Sequence, residues 1–164
     1  MPLKFTNLFS THKMEYFHGK RPNVDCILCE IAKNSNKVNN LTVYRGKNVM
    51  ISVNKYPYNS GHLLIFPYRH ITDIRTLTND EEQEISELLK KSLDILEELY
   101  SPSGFNFGYN MGDFSGASIP HIHMHVIPRF RNELGFIDII GGAKIIVEDP
   151  VITMNRLREV FKKI

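Results

Sequence analysis

The chain has no tryptophan and only two cysteines among its 164 residues. Two cysteines exclude a secreted scaffold stapled by disulfides, which would carry more of them, spread further apart. Nowhere does the sequence approach the roughly 20 consecutive apolar residues that a membrane-spanning helix needs. Neither sign of charge dominates. Lys and Arg number 20 against 18 Asp and Glu, a net charge of +2, too small to argue for nucleic acid as the main partner. The first residues, Met1 to Asn7, lack the sustained apolar stretch and small-residue cleavage site of a secretory signal, so a cytoplasmic location is expected. With 42% hydrophobic and 23% charged residues, collagen and disordered tails are excluded as well. What remains is one ordinary soluble core. The composition is unusual in one respect: seven histidines, three of them within five residues.

The chain divides into an N-terminal arm over 1–24, polar and interrupted by Pro2, Gly19 and Pro22, and a single domain over 25–164. A short helix is expected from Cys26 to Lys33 with Asp25 as its cap. Leu41–Tyr44 and Val49–Val53 read as strands of a hairpin turning at Arg45 to Asn48. His62–Phe66 reads as a third strand, closed by Pro67. Thr78-Asn79-Asp80-Glu81 has the form of a capping box. It opens a helix whose Ile85, Leu88, Leu89, Leu96 and Leu99 recur at helical spacing, flanked by Leu93 and Tyr100, and Pro102 follows its end. Alternation of Phe105, Phe107 and Tyr109 predicts a strand, and His121–Ile127 another. A short strand is expected over Ala143–Val147 after Gly141-Gly142. Asp149 and Pro150 cap and start a C-terminal helix carrying Leu157, Val160 and Phe161. Strands, long helix, strands and helix in that order define an α+β class with a mainly antiparallel sheet.

Side chains alternate across a strand, so His121, His123 and His125 share one face and Ile122, Met124 and Val126 the other. Successive imidazoles lie about 7 Å apart along such a strand. A row of this kind suits a metal such as zinc. It equally suits nucleophilic and acid–base chemistry near neutral pH, or binding of phosphate by imidazolium. The alternative is a solvated strand face rich in histidine. Immediately upstream, Gly108, Gly112 and Gly116 allow the backbone to approach an anion closely, although no Walker motif is present. Cys26 and Cys29 form a C-x-x-C pair. No βαβ pattern surrounds it, so a thioredoxin-type redox pair is disfavoured and half of a metal site is open.

His121-Ile-His-Met-His-Val-Ile127 resembles the signature of the histidine triad (HIT) superfamily, in which three histidines alternate with apolar residues. Further stretches resemble its diadenosine tetraphosphate phosphorylase-like branch: Met14-Glu15-Tyr16, Cys26 to Cys29, Asn54 to His62, Pro67 to His70, Gly104 to Gly108, Val126 to Arg129, and Gly135-Phe136 through Gly141-Gly142. The resemblance covers about 14 to 148. It implies a HIT-like fold with an antiparallel sheet of about five strands, one long helix and a C-terminal helix. It also implies two-step nucleotidyl transfer, with His123 attacking the α-phosphate to form a covalent nucleotidyl-histidine and His125 assisting with charge and proton transfer. Asn110, Gly116 and Ser118 fall where relatives bind phosphate oxygens. Ile27, Leu28 and Ile31 fall at the apolar pocket for the base, with plain core as the other reading. Asn54 stands where the family has an Asp that binds the ribose hydroxyls.

In zinc-bearing relatives the ligands match Cys26, Cys29, His70 and His121, so a structural Zn2+ is expected. Ala117 replaces the Gln carried by many HIT hydrolases, which favours the phosphorylase branch. The expected substrate is therefore a dinucleoside polyphosphate, with inorganic phosphate as acceptor. The alternatives are hydrolysis of dinucleoside polyphosphates or nucleoside phosphoramidates, a nucleotide sensor or scaffold without turnover, and a metal centre binding all three imidazoles. No nucleic acid or membrane partner is expected, and a homodimer or higher homo-oligomer is. His62 reads either as a neighbour of the triad or as a strand cap. His12 and His18 read as solvated, and Arg129, Arg131 and Lys144 as polyphosphate contacts or surface charges.

Overall fold

The structure, a computed structural model, describes residues 22–112, 114–131, 133, 146 and 148–163. The arm up to residue 21, with His12, His18 and Met14-Glu15-Tyr16, lies outside the described residues. So do Gly135–Gly142, Lys144 and, but for Ile146, the expected strand over 143–147.

The described elements are α1 (Ile27–Ala32), β1 (Thr42–Arg45), β2 (Val49–Val53), β3 (Leu63–Pro67), α2 (Asn79–Tyr100), β4 (Gly104–Tyr109), β5 (Met124–Arg129) and α3 (Pro150–Phe161), with a 3-10 turn at Ile74–Thr76. The strands form one sheet in the order β1-β2-β3-β5-β4, antiparallel throughout. This is the α+β architecture expected, with two corrections at element ends. The cap of α1 is Cys26, whose Sγ accepts from the Cys29 amide at 3.4 Å, rather than Asp25. The last long strand starts at Met124, so His121 and His123 lie on the approach to it rather than within it.

Every residue of β2 and β3 is buried, because helices cover both faces. On one face Ile51, Val53, Leu63, Ile65, Met124 and Val126 pack beneath α2 and α3. On the other, Met50, Leu64 and Phe66 pack with Leu28 and Ile31 of α1. His125 pairs in register with Leu64 and therefore emerges on this second side. Each fully buried Leu or Ile contributes about 1.5–3 kcal/mol of hydrophobic stabilisation, and these two layers make the sheet a rigid platform.

α2 begins as its sequence dictates. The Thr78 hydroxyl accepts from the Glu81 amide at 3.3 Å, and the Glu81 carboxylate accepts from the Thr78 amide at 2.9 Å. Arg69 adds two bonds to the same carboxylate, at 3.1 and 2.8 Å, fixing the chain after β3. The helix buries Ile85, Leu88, Ile95 and Leu96 and ends at Ser101 in the left-handed conformation. One turn further along α2, Glu84 accepts from the amides of Lys47 and Asn48 at 2.7 and 2.8 Å, clamping the β1–β2 turn to the helix. Gly46 is required there, since a Cβ would come within 2.0 Å of the Glu84 Oε1. In α3, Asp149 caps Val151 at 2.7 Å and Pro150 takes the first turn, as expected.

Ser92 is fully buried in α2, and among the described residues its hydroxyl has no hydrogen-bond partner. An unpaired buried hydroxyl costs about 1–3 kcal/mol, and alanine is the better helix former. Ser92→Ala should therefore leave urea stability unchanged or raise it by about 1 kcal/mol. A clear loss in the denaturation midpoint would show that the hydroxyl makes a bond after all.

Candidate active site and metal centre

A cleft opens on the α1 side of the sheet. Its walls include Ile27, Leu28 and Ile31 from α1, Asn54 after β2, Asn110, Gly116 and Ser118 from the β4–β5 connection, and His123 and His125. All nine are residues singled out from the sequence, and the fold brings them to one place. Leu28 and Ile31 also belong to the buried cluster beneath the cleft, so they are core residues that line the cleft. Tyr58, Lys55 and Ser52 also line the cleft, and sequence reasoning assigned none of them a site role, although Lys55 and Tyr58 lie in the resembling stretch Asn54 to His62.

The histidines do not form a solvated strand face. His121, His123 and His62 are buried. Their hydrogen bonds fix which ring nitrogen carries the proton. His123 Nδ1 lies 2.7 Å from the main-chain oxygen of His121. A carbonyl only accepts, so Nδ1 carries the hydrogen and Nε2 keeps its lone pair. His62 Nδ1 accepts from the Tyr58 amide at 3.1 Å, which leaves the proton of neutral His62 on Nε2. That Nε2 donates to His125 Nδ1 at 2.9 Å, so the proton of neutral His125 sits on Nε2. The relay thus ends in one lone pair, on His123, and one N–H donor, on His125. The two rings lie edge to face, 4.8 Å between centroids, and Tyr58 stacks on His62 at 5.1 Å.

Electrostatics keep these rings uncharged at neutral pH. Burial pulls His123 below the ordinary imidazole value. Burial and then neighbouring His123 take His125 down to about 4. His62 falls well below 6.5 through burial, then through the charges of His125 and His123. A neutral imidazole is the nucleophilic form.

The first histidine of the row faces a different group. His121 Nε2 donates to the Pro67 carbonyl at 3.0 Å, so its Nδ1 carries the lone pair. That Nδ1 lies 3.5 Å from both Cys26 Sγ and Cys29 Sγ, and His70 Nδ1 lies 3.3 Å from Cys29 Sγ. The four ligand atoms all fall within 4.8 Å of one another. Tetrahedral zinc, with bonds of about 2.3 Å to sulfur and 2.0 Å to nitrogen, would space sulfur and nitrogen about 3.5 Å apart. The donor set, its spacing and the fixed His121 tautomer all fit such an ion, and the Pro67 carbonyl supplies the outer contact that metal-bound histidines usually make. His123 and His125 take no part in this cluster, so the three imidazoles do not converge on one ion.

Arg129 does not face the cleft as a free cation. It is held by Glu133 at 2.8 Å and also bonds Asn106. Arg131 is exposed.

An α+β sheet carrying a neutral, buried imidazole with a free lone pair beside a glycine-bearing loop defines a class of histidine-based site. The comparisons define the family. The HIT domain pattern matches residues 35–132, and the chain belongs to the HIT family. It is 42% identical over 107 residues to a Mycobacterium tuberculosis protein named AP-4-A phosphorylase, covering 65% of this chain and 55% of that one. It is 31% identical over 97 residues to the asymmetrical bis(5'-nucleosyl)-tetraphosphatase of Schizosaccharomyces pombe, covering 59% and 53%. The chain thus spans about half the length of these curated relatives. A Zn-bound histidine triad family protein from Mycobacterium smegmatis shares the fold, with a TM-score of 0.69 at 20% identity over 85% of this chain and 94% of that one. Among the described residues no helix is long and apolar enough to cross a membrane.

The neutral, buried His62 makes a pH prediction. In the unfolded chain its pKa returns to about 6.5. Below that pH the unfolded chain takes up a proton that the folded chain refuses, so stability falls as the solution is acidified. Between pH 7.5 and 5.5 this one residue should remove roughly 1 kcal/mol. Urea midpoints should therefore drop less for His62→Gln than for wild type over that interval. Equal drops would mean that His62 is not held neutral.

Proposed function

We propose that this protein transfers a nucleotidyl group from a dinucleoside polyphosphate through a covalent intermediate on His123, with inorganic phosphate as acceptor. On diadenosine tetraphosphate the products would be ATP and ADP. The observation that carries the reading is the hydrogen bond from His123 Nδ1 to the His121 carbonyl at 2.7 Å, which leaves a single lone pair on Nε2 at the cleft wall.

In the first step His123 Nε2 forms a bond to the α-phosphorus, and the bond from that phosphorus to its bridging oxygen breaks. The remaining three phosphates depart with their nucleoside as ATP. The positive charge that develops on the ring is met by the His121 carbonyl at Nδ1. His125 Nε2–H donates to a phosphate oxygen where negative charge builds, and His62 orients it from behind. In the second step an oxygen of inorganic phosphate attacks the same phosphorus and the phosphorus–nitrogen bond breaks, giving ADP and restoring neutral His123. Splitting one displacement into two makes each easier, and phosphoryl transfer depends mainly on positioning and charge stabilisation. The glycine loop with Asn110 and Ser118 would hold phosphate oxygens, the α1 aliphatics the base, and Asn54 the ribose. Identity with the AP-4-A phosphorylase and Ala117 in place of Gln favour phosphate over water as acceptor.

Two further parts belong to this reading. Cys26, Cys29, His70 and His121 would hold a structural zinc, which supplies a fixed link between α1, the end of β3 and the approach to β5. The protein would act in the cytoplasm as a homodimer or larger homo-oligomer. The strand β4 supports the oligomer, since among the described residues it stands at the edge of the sheet and exposes Phe107.

Incubation with diadenosine tetraphosphate should yield ATP plus ADP only when inorganic phosphate is supplied. AMP plus ATP in its absence would make the enzyme a hydrolase. His123→Ala should lower kcat by at least 1,000-fold, on the order of what loss of a catalytic nucleophile costs. Turnover that survives this substitution would remove His123 from the mechanism. Metal analysis of untagged protein should find close to one zinc per chain, lost in Cys26→Ser, and light scattering a mass of two chains or more. Zinc-free, monomeric and fully folded protein would refute both parts.

A further inference from the structure

The connection from β4 to β5 carries one feature that the transfer chemistry leaves unused. Phe114 is fully exposed, the most exposed large apolar side chain among the described residues. It lies on the connection between two residues of the cleft wall, without itself lining the cleft. Asn110 before it and Gly116 after it both line the wall, and two residues of chain keep its Cα within about 7 Å of Gly116.

Its outward position is built. The Gly112 carbonyl accepts from the Ser115 amide at 3.2 Å and from the Ser115 hydroxyl at 2.7 Å. The same hydroxyl oxygen accepts from the Ala117 amide at 3.4 Å. Gly112 and Gly116 take φ of +88° and +85°, conformations that L side chains rarely adopt. The turn thus projects the ring away from the protein. Met111, on the same connection, is exposed as well.

The proposed substrate has two bases, and the cleft has one aliphatic wall, from Ile27, Leu28 and Ile31. When the α-phosphate of one nucleotide lies at His123, the polyphosphate and the second nucleoside must leave through the cleft mouth. A nucleobase presents an apolar face, and the fully exposed ring of Phe114, two residues from the wall residue Gly116, packs against none of the described residues. We infer that Phe114 is the stacking platform for the second base, and that it makes the protein select dinucleoside polyphosphates over polyphosphates bearing one nucleoside. This inference rests on the function proposed above and assigns to it a specificity residue.

The test compares diadenosine tetraphosphate with adenosine 5'-tetraphosphate, which has the same phosphate chain and no second base. Stacking on an aromatic side chain is worth roughly five- to a hundredfold in affinity. Wild type should prefer the two-base compound in kcat/KM by about tenfold or more. Phe114→Ala should lose that preference through KM while keeping its rate on the one-base compound, and Phe114→Trp should retain the preference. Equal losses on both compounds, or no loss on either, would overturn the stacking role. A fall in oligomer mass on Phe114→Ala would also overturn it, assigning the ring to contact between copies. Wild type that processes neither compound would instead overturn the proposed function, and the stacking role with it.

Discussion

Everything at this site depends on the two sides of His121. Its imidazole points into the thiol cluster, held in one tautomer by the Pro67 carbonyl, while its own carbonyl receives the proton-bearing nitrogen of His123. A single residue therefore joins the candidate metal cluster to the ring whose Nε2 keeps its lone pair. It sits just before β5 begins, and the Ile122 amide bonds the Ile71 carbonyl at 2.7 Å, so the backbone between the two histidines is pinned as well. Displacing the His121 ring would move the carbonyl with it. Group transfer loses rate steeply when a reacting atom shifts by about 1 Å, so a structural metal at this place would have a direct consequence for the proposed chemistry without any part in the reaction.

The second constraint is that several imidazoles lie within a few ångströms of one another and almost none can carry charge. Burial is the largest cause for His62, His121, His123 and His125 alike, and mutual repulsion adds to it for His62, His121 and His125. A cluster of neutral histidines still needs an order, because each ring has one donor and one acceptor. The backbone supplies that order. The Tyr58 amide, the Pro67 carbonyl and the His121 carbonyl each settle one nitrogen, and the others follow. In the proposed transfer, phosphate chemistry would meet a prearranged pair, a lone pair on His123 and an N–H on His125, with no reorganisation at the moment of reaction. The small net charge of the chain agrees with a site that works through aimed dipoles rather than a basic surface.

Much of this was legible in the sequence because it is local. The capping box at Thr78, the Asp149-Pro150 start of α3 and the periodicity of Ile85, Leu88 and Leu96 each act over one or two turns. The alternation of histidines with Ile122, Met124 and Val126 put His123 and His125 on the cleft and the apolar three in the interior, although β5 starts only at Met124 and His121 turns to the thiol cluster. What stayed hidden depends on long-range pairing. The sequence leaves His62 open between a neighbour of the triad and a strand cap, because its bond to His125 closes across 63 residues. Glu84 finds the β1–β2 turn 36 residues away only because α2 crosses the sheet there. The cap of α1 was misread for a related reason. A cysteine is a poor cap by propensity, and here its sulfur accepts from the Cys29 amide while lying 3.5 Å from His121 Nδ1, a partner 95 residues away.

Asn54 shows how one departure from the family pattern fits this electrostatic design. Its Oδ1 accepts from the Tyr56 amide at 3.0 Å, and its Nδ2 lies 3.4 Å from His62 Nδ1. A carboxylate at that distance would favour the charged form of His62 and raise its pKa. A charged His62 would carry protons on both nitrogens and could no longer accept from the Tyr58 amide. The relay that leaves His125 donating from Nε2 would lose its fixed starting point. The amide occupies the same place, satisfies the loop backbone, and leaves His62 neutral. The loss of a charge beside the expected ribose contact is thus compatible with, and in this arrangement protects, the proton order on which the two remaining histidines depend.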